Sequence, residues 1–273
     1  DTEVVAGDTM PTSTSMAEKS QPDIASEMWT NGLGAFWEDA LDRGVVTTGG
    51  LSMSGGGEGF FLPTAMIDAH PELATMEGVL ANPQLFPHPE GKDVGAVYGC
   101  PAGWNCQITS TNVFNAFGFS EAGFELIDPG SGAALGAAMA AAHDKESGIV
   151  GYYWGPTALL GLRDFTKVSV PEGDGWTPEK WACMTNADQM DATGADACEK
   201  SYWANAVIEV AYTTDFADRA PEDVMNYLNN RTFSDSDISS AKVQNDNTLS
   251  IVVKDASALE DTTNFNTTGG VDS

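Results

Sequence analysis

Ile149-Val150-Gly151-Tyr152-Tyr153-Trp154-Gly155-Pro156-Thr157 is the stretch that decides the architecture. Its β-branched and aromatic residues read as a strong strand over 149–154, and Gly155-Pro156 starts a helix with proline in its first turn. Just upstream, Phe124–Ile127 reads as a strand and Asp128-Pro129-Gly130-Ser131-Gly132 as a turn. That turn opens a long Ala-rich helix reaching His143, with Ser131 as its N-cap. Strand, helix, strand, helix in succession predicts an α/β fold with parallel sheets.

Outward from that unit the alternation continues. Toward the start, Val4-Val5-Ala6 reads as a short strand, then a cap signal at Thr9 to Thr12 and a helix over 11–20. Ile24–Trp29 reads as a buried strand, and 35–43 as a helix closed by Gly44. Gly55-Gly56-Gly57 loosens the chain, and Glu58-Gly59 leads into a strand over 60–62 that Pro63 ends. Residues 75–80 and 111–117 read as helices around a proline-rich loop at 82–93. Residues 176–199 read mostly as loop, 206–212 as a strand and 221–229 as a helix. From Ser234 onward Ser, Asp, Asn and Thr dominate; only Leu249–Val253 is strand-like, and the last fifteen or so residues read as a disordered tail.

The 273 residues are 42% hydrophobic, enough for a substantial core. Forty acidic against twelve basic residues leave a formal charge of −28. That excludes nucleic acid as a partner, because little is available to replace counterions along a phosphate backbone. It argues equally against anionic membrane surfaces. No apolar run is long enough to span a bilayer, and no basic segment followed by an apolar one marks a leader. The opening Asp1-Thr2-Glu3-Val4-Val5 reads as the inside of a strand, which implies a removed leader or a missing start.

Four cysteines form two local pairs, Cys100 with Cys106 and Cys183 with Cys198. An even count at loop-closing distances fits disulfides made in an oxidising compartment, periplasmic or outside. The rival, a four-cysteine zinc site, lacks the tight two-residue spacing such sites favour. Catalytic signals are thin: His70, His88 and His143 are not spaced as a metal pair, and Gly130-Ser131-Gly132 lacks both a nucleophile-elbow spacing and a following lysine. Asp188, Asp191 and Asp196 depart from calcium-loop spacing. The seven tryptophans say more. Trp29 and Trp154 end strands and Trp104 sits inside the first cysteine loop, the region where open α/β sheets bind ligands. Tryptophan is also the best π-face for a methylated ammonium. The alternative is that all three are core residues.

Cys100-Pro101-Ala102-Gly103-Trp104-Asn105-Cys106, followed by Gly151-Tyr152-Tyr153-Trp154-Gly155-Pro156-Thr157, resembles the substrate-binding protein family of glycine betaine and quaternary-amine ABC importers. Glu27-Met28-Trp29 and Glu58-Gly59-Phe60-Phe61-Leu62-Pro63 sit in the expected order. The resemblance implies a two-lobe periplasmic-binding-protein (type II) fold with a hinged cleft, its first lobe lacking the family's initial strand and helix. Lobe one would comprise residues 1–62 and 205–236, lobe two 63–204, and 237–273 an atypical polar tail in place of the family's closing helices. The resemblance implies that Trp29, Trp104 and Trp154 wall a cage around the ammonium, with Phe60 or Phe61 as a further wall. The N–H groups of Asn105 and Cys106 would meet the ligand's anionic end. It implies no enzyme activity, no cofactor and no metal, a monomer on the outer side of the cytoplasmic membrane, and a permease as partner. Where some betaine binders carry a histidine four residues after the first cage tryptophan, this chain has Leu33. That widens the ligand choice to choline, trimethylamine N-oxide, dimethylsulfoniopropionate or carnitine. The rival functions are a ligand-sensing module with the same cage and a secreted hydrolase.

Overall fold

The computed structural model describes residues 3–53, 56–203 and 206–230, and the backbone of 238–243 and 249–253. In chain order, α1 (Thr9–Lys19), β1 (Ile24–Trp29), α2 (Ala35–Asp42) and β2 (Val46–Met53) come first. There follow β3 (Gly57–Pro63), α3 (Thr64–Ala69), α4 (Met76–Leu80), β4 (Gly95–Tyr98) and α5 (Asn105–Ala116). Then come β5 (Phe124–Ile127), α6 (Gly132–Asp144), β6 (Val150–Gly155), α7 (Ala158–Leu162), β7 (Phe165–Lys167) and α8 (Pro178–Met184). The described chain closes with β8 (Ile208–Thr213), α9 (Thr214–Ala217), α10 (Glu222–Asn230), β9 (Ile238–Val243) and β10 (Leu249–Val253).

Two sheets organise the fold. β1-β8-β2 is antiparallel throughout, with β8 central; β5-β4-β6-β3-β7 is mixed, parallel only across β5-β4-β6. The fully parallel expectation fails because β3 and β8 are the strands by which the chain passes from one sheet to the other. Each enters its new sheet against the direction of its neighbours. The two crossings touch: Ala206 N–H donates to Gly56 O at 3.1 Å. A Cβ on Gly56 would lie 2.9 Å from the Ile208 side chain, so glycine is what lets the crossings run side by side. Residues 60–62, expected with the first lobe, lie in β3 and pair within the five-stranded sheet.

Alternation along β8 explains how the small sheet is covered on both faces. Ala211 faces a cluster with Met16 and Ala17 of α1, Met28, Trp37 and Ala40 of α2, and Val46. Val210 and Tyr212 face Leu228 of α10. β1 lies at the sheet edge with Ser26 and Glu27 exposed, so it is half-covered rather than buried. The five-stranded sheet holds the main core, from Phe60 and Leu62 through Val97, Phe114, Phe119 and Met139 to Trp203.

Val4 and Val5 form no strand and stand 93% and 73% exposed. Pro156 precedes the next helix instead of opening it: Thr157 Oγ1 accepts the N–H of Leu160 and caps α7. Ser131 caps α6 as expected, accepting from Ala134 N–H. The segment expected as loop from 176 contains α8, capped by Thr177 with Pro178 in its first turn. β9 and β10 pair antiparallel, the second being the expected 249–253 strand, while the final tail lies outside the described residues.

Both disulfides form, Cys100–Cys106 with Cα atoms 5.6 Å apart and Cys183–Cys198 with Cα atoms 5.8 Å apart. The second closes the longer loop, spanning 15 residues. The chain-entropy relation assigns a loop of that length about 3 kcal/mol. The Cys183→Ser/Cys198→Ser double variant is therefore expected to lose about that much stability in urea unfolding, with a steeper denaturant slope because the chain without its cross-link unfolds to a more open ensemble.

Candidate functional site

The site starts from β6. Opposite residues of an antiparallel pair share a face, and the register sets Trp154 opposite Glu58 and Tyr152 opposite Phe60. Tyr152 and Trp154 stack with ring centroids 6.1 Å apart. Trp104 meets Trp154 edge to face, centroids 5.3 Å apart and planes at 73°. Trp104 is held there by its loop as well as by its partner ring. The Cys100–Cys106 bridge closes the loop, Gly103 N–H donates to Gln107 Oε1 at 2.9 Å, and Ala102 N–H reaches Asp128 Oδ1 at 3.4 Å. The Trp104 ring lies over Gly132, where a Cβ would come within 2.6 Å of it. Only glycine at that first position of α6 accommodates the ring.

The second part comes from the small sheet. Directly after Trp29 the chain makes a 3-10 turn, Thr30–Gly32. Thr30 Oγ1 donates to Glu209 Oε2 at 2.7 Å, tying the turn to β8. Asn31 is engaged through three groups: Oδ1 accepts Val207 N–H at 3.3 Å, Nδ2 donates to Glu58 Oε2 at 3.2 Å, and its carbonyl accepts Trp181 Nε1–H at 2.8 Å. A Cβ on Gly32 would sit 2.4 Å from Asn105 Nδ2, so the turn abuts the start of α5. Gly32 also lines, with Leu33 and Phe36 on one side and Ile108 and Thr185 on the other, a groove of about 450 Å³ between the two layers.

Glu58 is the buried carboxylate of this junction, 6% exposed beside two donors. Burial pushes its carboxyl above the ordinary value, and the Tyr152 hydroxyl, the Asn31 amide and the Lys167 charge pull it back down. The Tyr152 hydroxyl donates to Glu58 Oε1 at 2.7 Å. Burial, and then the neighbouring Glu58, push that phenol well above its usual range. Lys167, whose ammonium stands 5.3 Å from the Tyr202 ring centre, is pushed down by burial.

Of the residues singled out in the sequence, Trp104 and Trp154 come into contact, and Asn105 lies beside them at the head of α5. Trp29 stands half-buried at the end of β1 with its indole N–H donating to Glu27 Oε1 at 2.9 Å. Its link to the other two runs through the turn that follows it. The Cys106 N–H, expected to face a ligand, donates to Asn105 Oδ1 at 2.9 Å, which leaves the α5 terminus itself as the electropositive feature. Phe60, expected as a further wall, is fully buried, edge-on to Phe119 and Trp203 at 5.6 and 5.2 Å. Sequence reading missed Asn31 and Trp181, and took Glu58 only as part of a motif. The signal available for Glu58 was a lone charge inside an otherwise apolar strand.

The histidines serve local structure. His88 Nδ1 accepts Glu90 N–H with Nε2 near Glu125; His70 lies against Glu72 and His143 against Asp144. Among the described residues no cluster of three or more His, Cys, Asp or Glu side chains could hold a metal, and no helix is long and apolar enough to cross a membrane.

Residues 1–255 match the family model described as the substrate-binding domain of the ABC-type glycine betaine transport system. No curated protein matches by sequence. Among solved structures, the chain is similar to the glycine/betaine/L-proline-binding protein ProX of Borrelia burgdorferi, with 15% identity, 85% of this chain and 71% of that one covered, and a TM-score of 0.59. It is similar to lactococcal OpuAC closed on glycine betaine, with 15% identity, 87% and 75% coverage, and a TM-score of 0.57. It is also similar to an ABC-transporter choline-binding protein in complex with choline, with 16% identity, 82% and 65% coverage, and a TM-score of 0.57. These likenesses show the fold, the mixed α/β fold of two-lobe periplasmic binding proteins.

Proposed function

We propose, from the premise that the chain belongs to the family of substrate-binding domains of ABC-type glycine betaine transport systems, that it captures a small methylated ammonium or related osmolyte outside the cytoplasm and presents it to an importer permease. The observation that carries this reading is the convergence of three tryptophan-bearing segments on one turn. Trp29 precedes Thr30–Gly32 directly, Trp104 precedes the Asn105 that abuts Gly32, and Trp154 lies opposite the Glu58 that binds Asn31. Lobe one is then the β1-β8-β2 sheet with its helices, and lobe two the five-stranded sheet with β3 included, which sets the first hinge at Gly56.

The cage chemistry suits a cation that cannot donate hydrogen bonds. A desolvated ammonium over an indole face gains roughly 2 kcal/mol. Three such faces supply most of the roughly 8 kcal/mol that micromolar binding needs. A carboxylate or other anionic end would lie at the start of α5, where orphan N–H groups and the helix dipole favour negative charge. Calorimetric titration with glycine betaine, choline, trimethylamine N-oxide and dimethylsulfoniopropionate tests the reading. One of them is expected to bind with a micromolar Kd and a negative heat-capacity change from aromatic burial. Absence of heat from all four at two temperatures would overturn it.

A further inference from the structure

The Thr30–Gly32 turn belongs to the small sheet, yet it is held by the other lobe. Asn31 is where the two meet. Its side-chain oxygen is anchored at home by Val207 N–H, which orients the amide so that Nδ2 points at Glu58 of β3. Its carbonyl is bound by the indole N–H of Trp181, a residue of α8 that is itself 7% exposed and packed in the large core. Opening the lobes must break both bonds. It would also strip one of two donors from a carboxylate that burial already disfavours as an anion. A buried acceptor left without its donor carries the desolvation cost of that group.

We propose that Asn31 is the closure latch of this protein: a positioning residue that, by engaging Glu58 and Trp181, sets the closed placement of Trp29 against the Trp104–Trp154 pair. The proposal deepens the ligand-capture reading and rests on it for its consequence, while the latch itself has a readout that needs no ligand. The latch sits behind the cage rather than in it. Glu58 reaches Asn31 from the strand position facing Trp154, and Asn105, next to Trp104, packs on the adjoining Gly32. A ligand that draws the walls together therefore draws Asn31 into its two partners, and the two events stabilise one another by linkage.

The test uses Asn31→Ala and Trp181→Phe, the second keeping a ring in the core but removing the N–H donor. Small-angle scattering of the ligand-free proteins is the first arm. Both variants are expected to show a larger radius of gyration than the wild type while staying folded, Trp181→Phe with a somewhat lower thermal midpoint because a smaller ring fills a buried position. Equal radii in all three proteins would overturn the latch whatever the ligand proves to be. The second arm is binding of choline and of glycine betaine, followed by calorimetry and by stopped-flow dissociation. Each variant is expected to weaken the Kd of the bound probe roughly tenfold, the scale of one lost bond to a charged or aromatic N–H partner, and to do so through faster dissociation. Unchanged dissociation in both variants, with Trp154→Ala still losing the probe, would leave the cage standing and sink the latch. A wild type that binds neither probe counts against the choice of ligand, and the scattering arm alone then decides.

Discussion

Trp154→Ala is expected to weaken binding of the cognate ligand about 100-fold. On the proposed reading, the indole lost is one ammonium face, worth roughly 2 kcal/mol when desolvated. It is also the ring against which Trp104 stands edge to face at 5.3 Å, a contact of the kind worth roughly 0.5–1.5 kcal/mol. Removing it leaves Trp104 with freedom it must surrender again on binding. The sum, about 3 kcal/mol, is two decades in Kd. Trp154→Phe should recover part of the loss, since a smaller face remains. Trp176→Ala is the control: that tryptophan is 44% exposed and outside the junction, and its replacement should leave the Kd alone. Calorimetric titration of the three variants checks the order. Equal affinity for Trp154→Ala and wild type would remove the β6 tryptophan from the binding surface.

Such a specific expectation is possible because the residues that carry it were legible before the fold was. A strand ending in tryptophan, a cysteine loop enclosing another, and a capped Ala-rich helix between them are local patterns. Each is set by residues within a few positions of one another. Ser131 caps α6 and Ile24–Trp29 is a strand as their side chains dictate. What the sequence hid was non-local. β2 went unseen because Gly49 and Gly50 interrupt its pattern, yet Gly49 is required there: a Cβ would lie 2.9 Å from Leu228 O of α10. α5 begins at Asn105 rather than 111 because its buried positions include Thr109, Ser110 and Asn112, which carry no apolar period. Asn112 is buried for a reason that only the fold supplies: its Nδ2 donates to the Met184 and Asn186 carbonyls at the end of α8.

The same distinction separates the parts of the site. Trp104 and Trp154 announce themselves by residue type and by their positions beside a loop and a strand end. Asn31 does not, since an asparagine after a strand reads as a turn former. Its meaning depends on Glu58 and Trp181, which lie 27 and 150 residues away. The direction of the strands was hidden for a related reason. Alternating strands and helices predict parallel pairing only within one sheet. A chain that leaves one sheet at Met53, returns to it at Ile208 and crosses its own path at Gly56 and Ala206 obeys a different geometry.

Phe60, named from the sequence as a candidate wall, is fully buried in the structure, and its replacement is expected to act on stability alone. Phe60→Ala should cost about 3–5 kcal/mol, the range for truncating a buried phenylalanine. The ring is fully buried, between Phe119 and Trp203. Its backbone is clasped by Tyr202, whose hydroxyl accepts Phe60 N–H at 2.9 Å and donates back to Phe60 O at 3.4 Å. The strand therefore has little freedom to move into the space left behind. Against a domain stability of roughly 5–15 kcal/mol this is a large fraction, so Phe60→Leu, which keeps most of the volume, is the companion variant. Urea unfolding should rank wild type, Phe60→Leu and Phe60→Ala in that order. Titration at low temperature, where the folded fraction is high, should give all three the same Kd. A cage wall would behave in the opposite way: exposed to the ligand and lightly packed, it would lose affinity while the unfolding midpoint stayed put. The two outcomes separate a side chain that shapes the floor beneath the site from one that touches what the site holds.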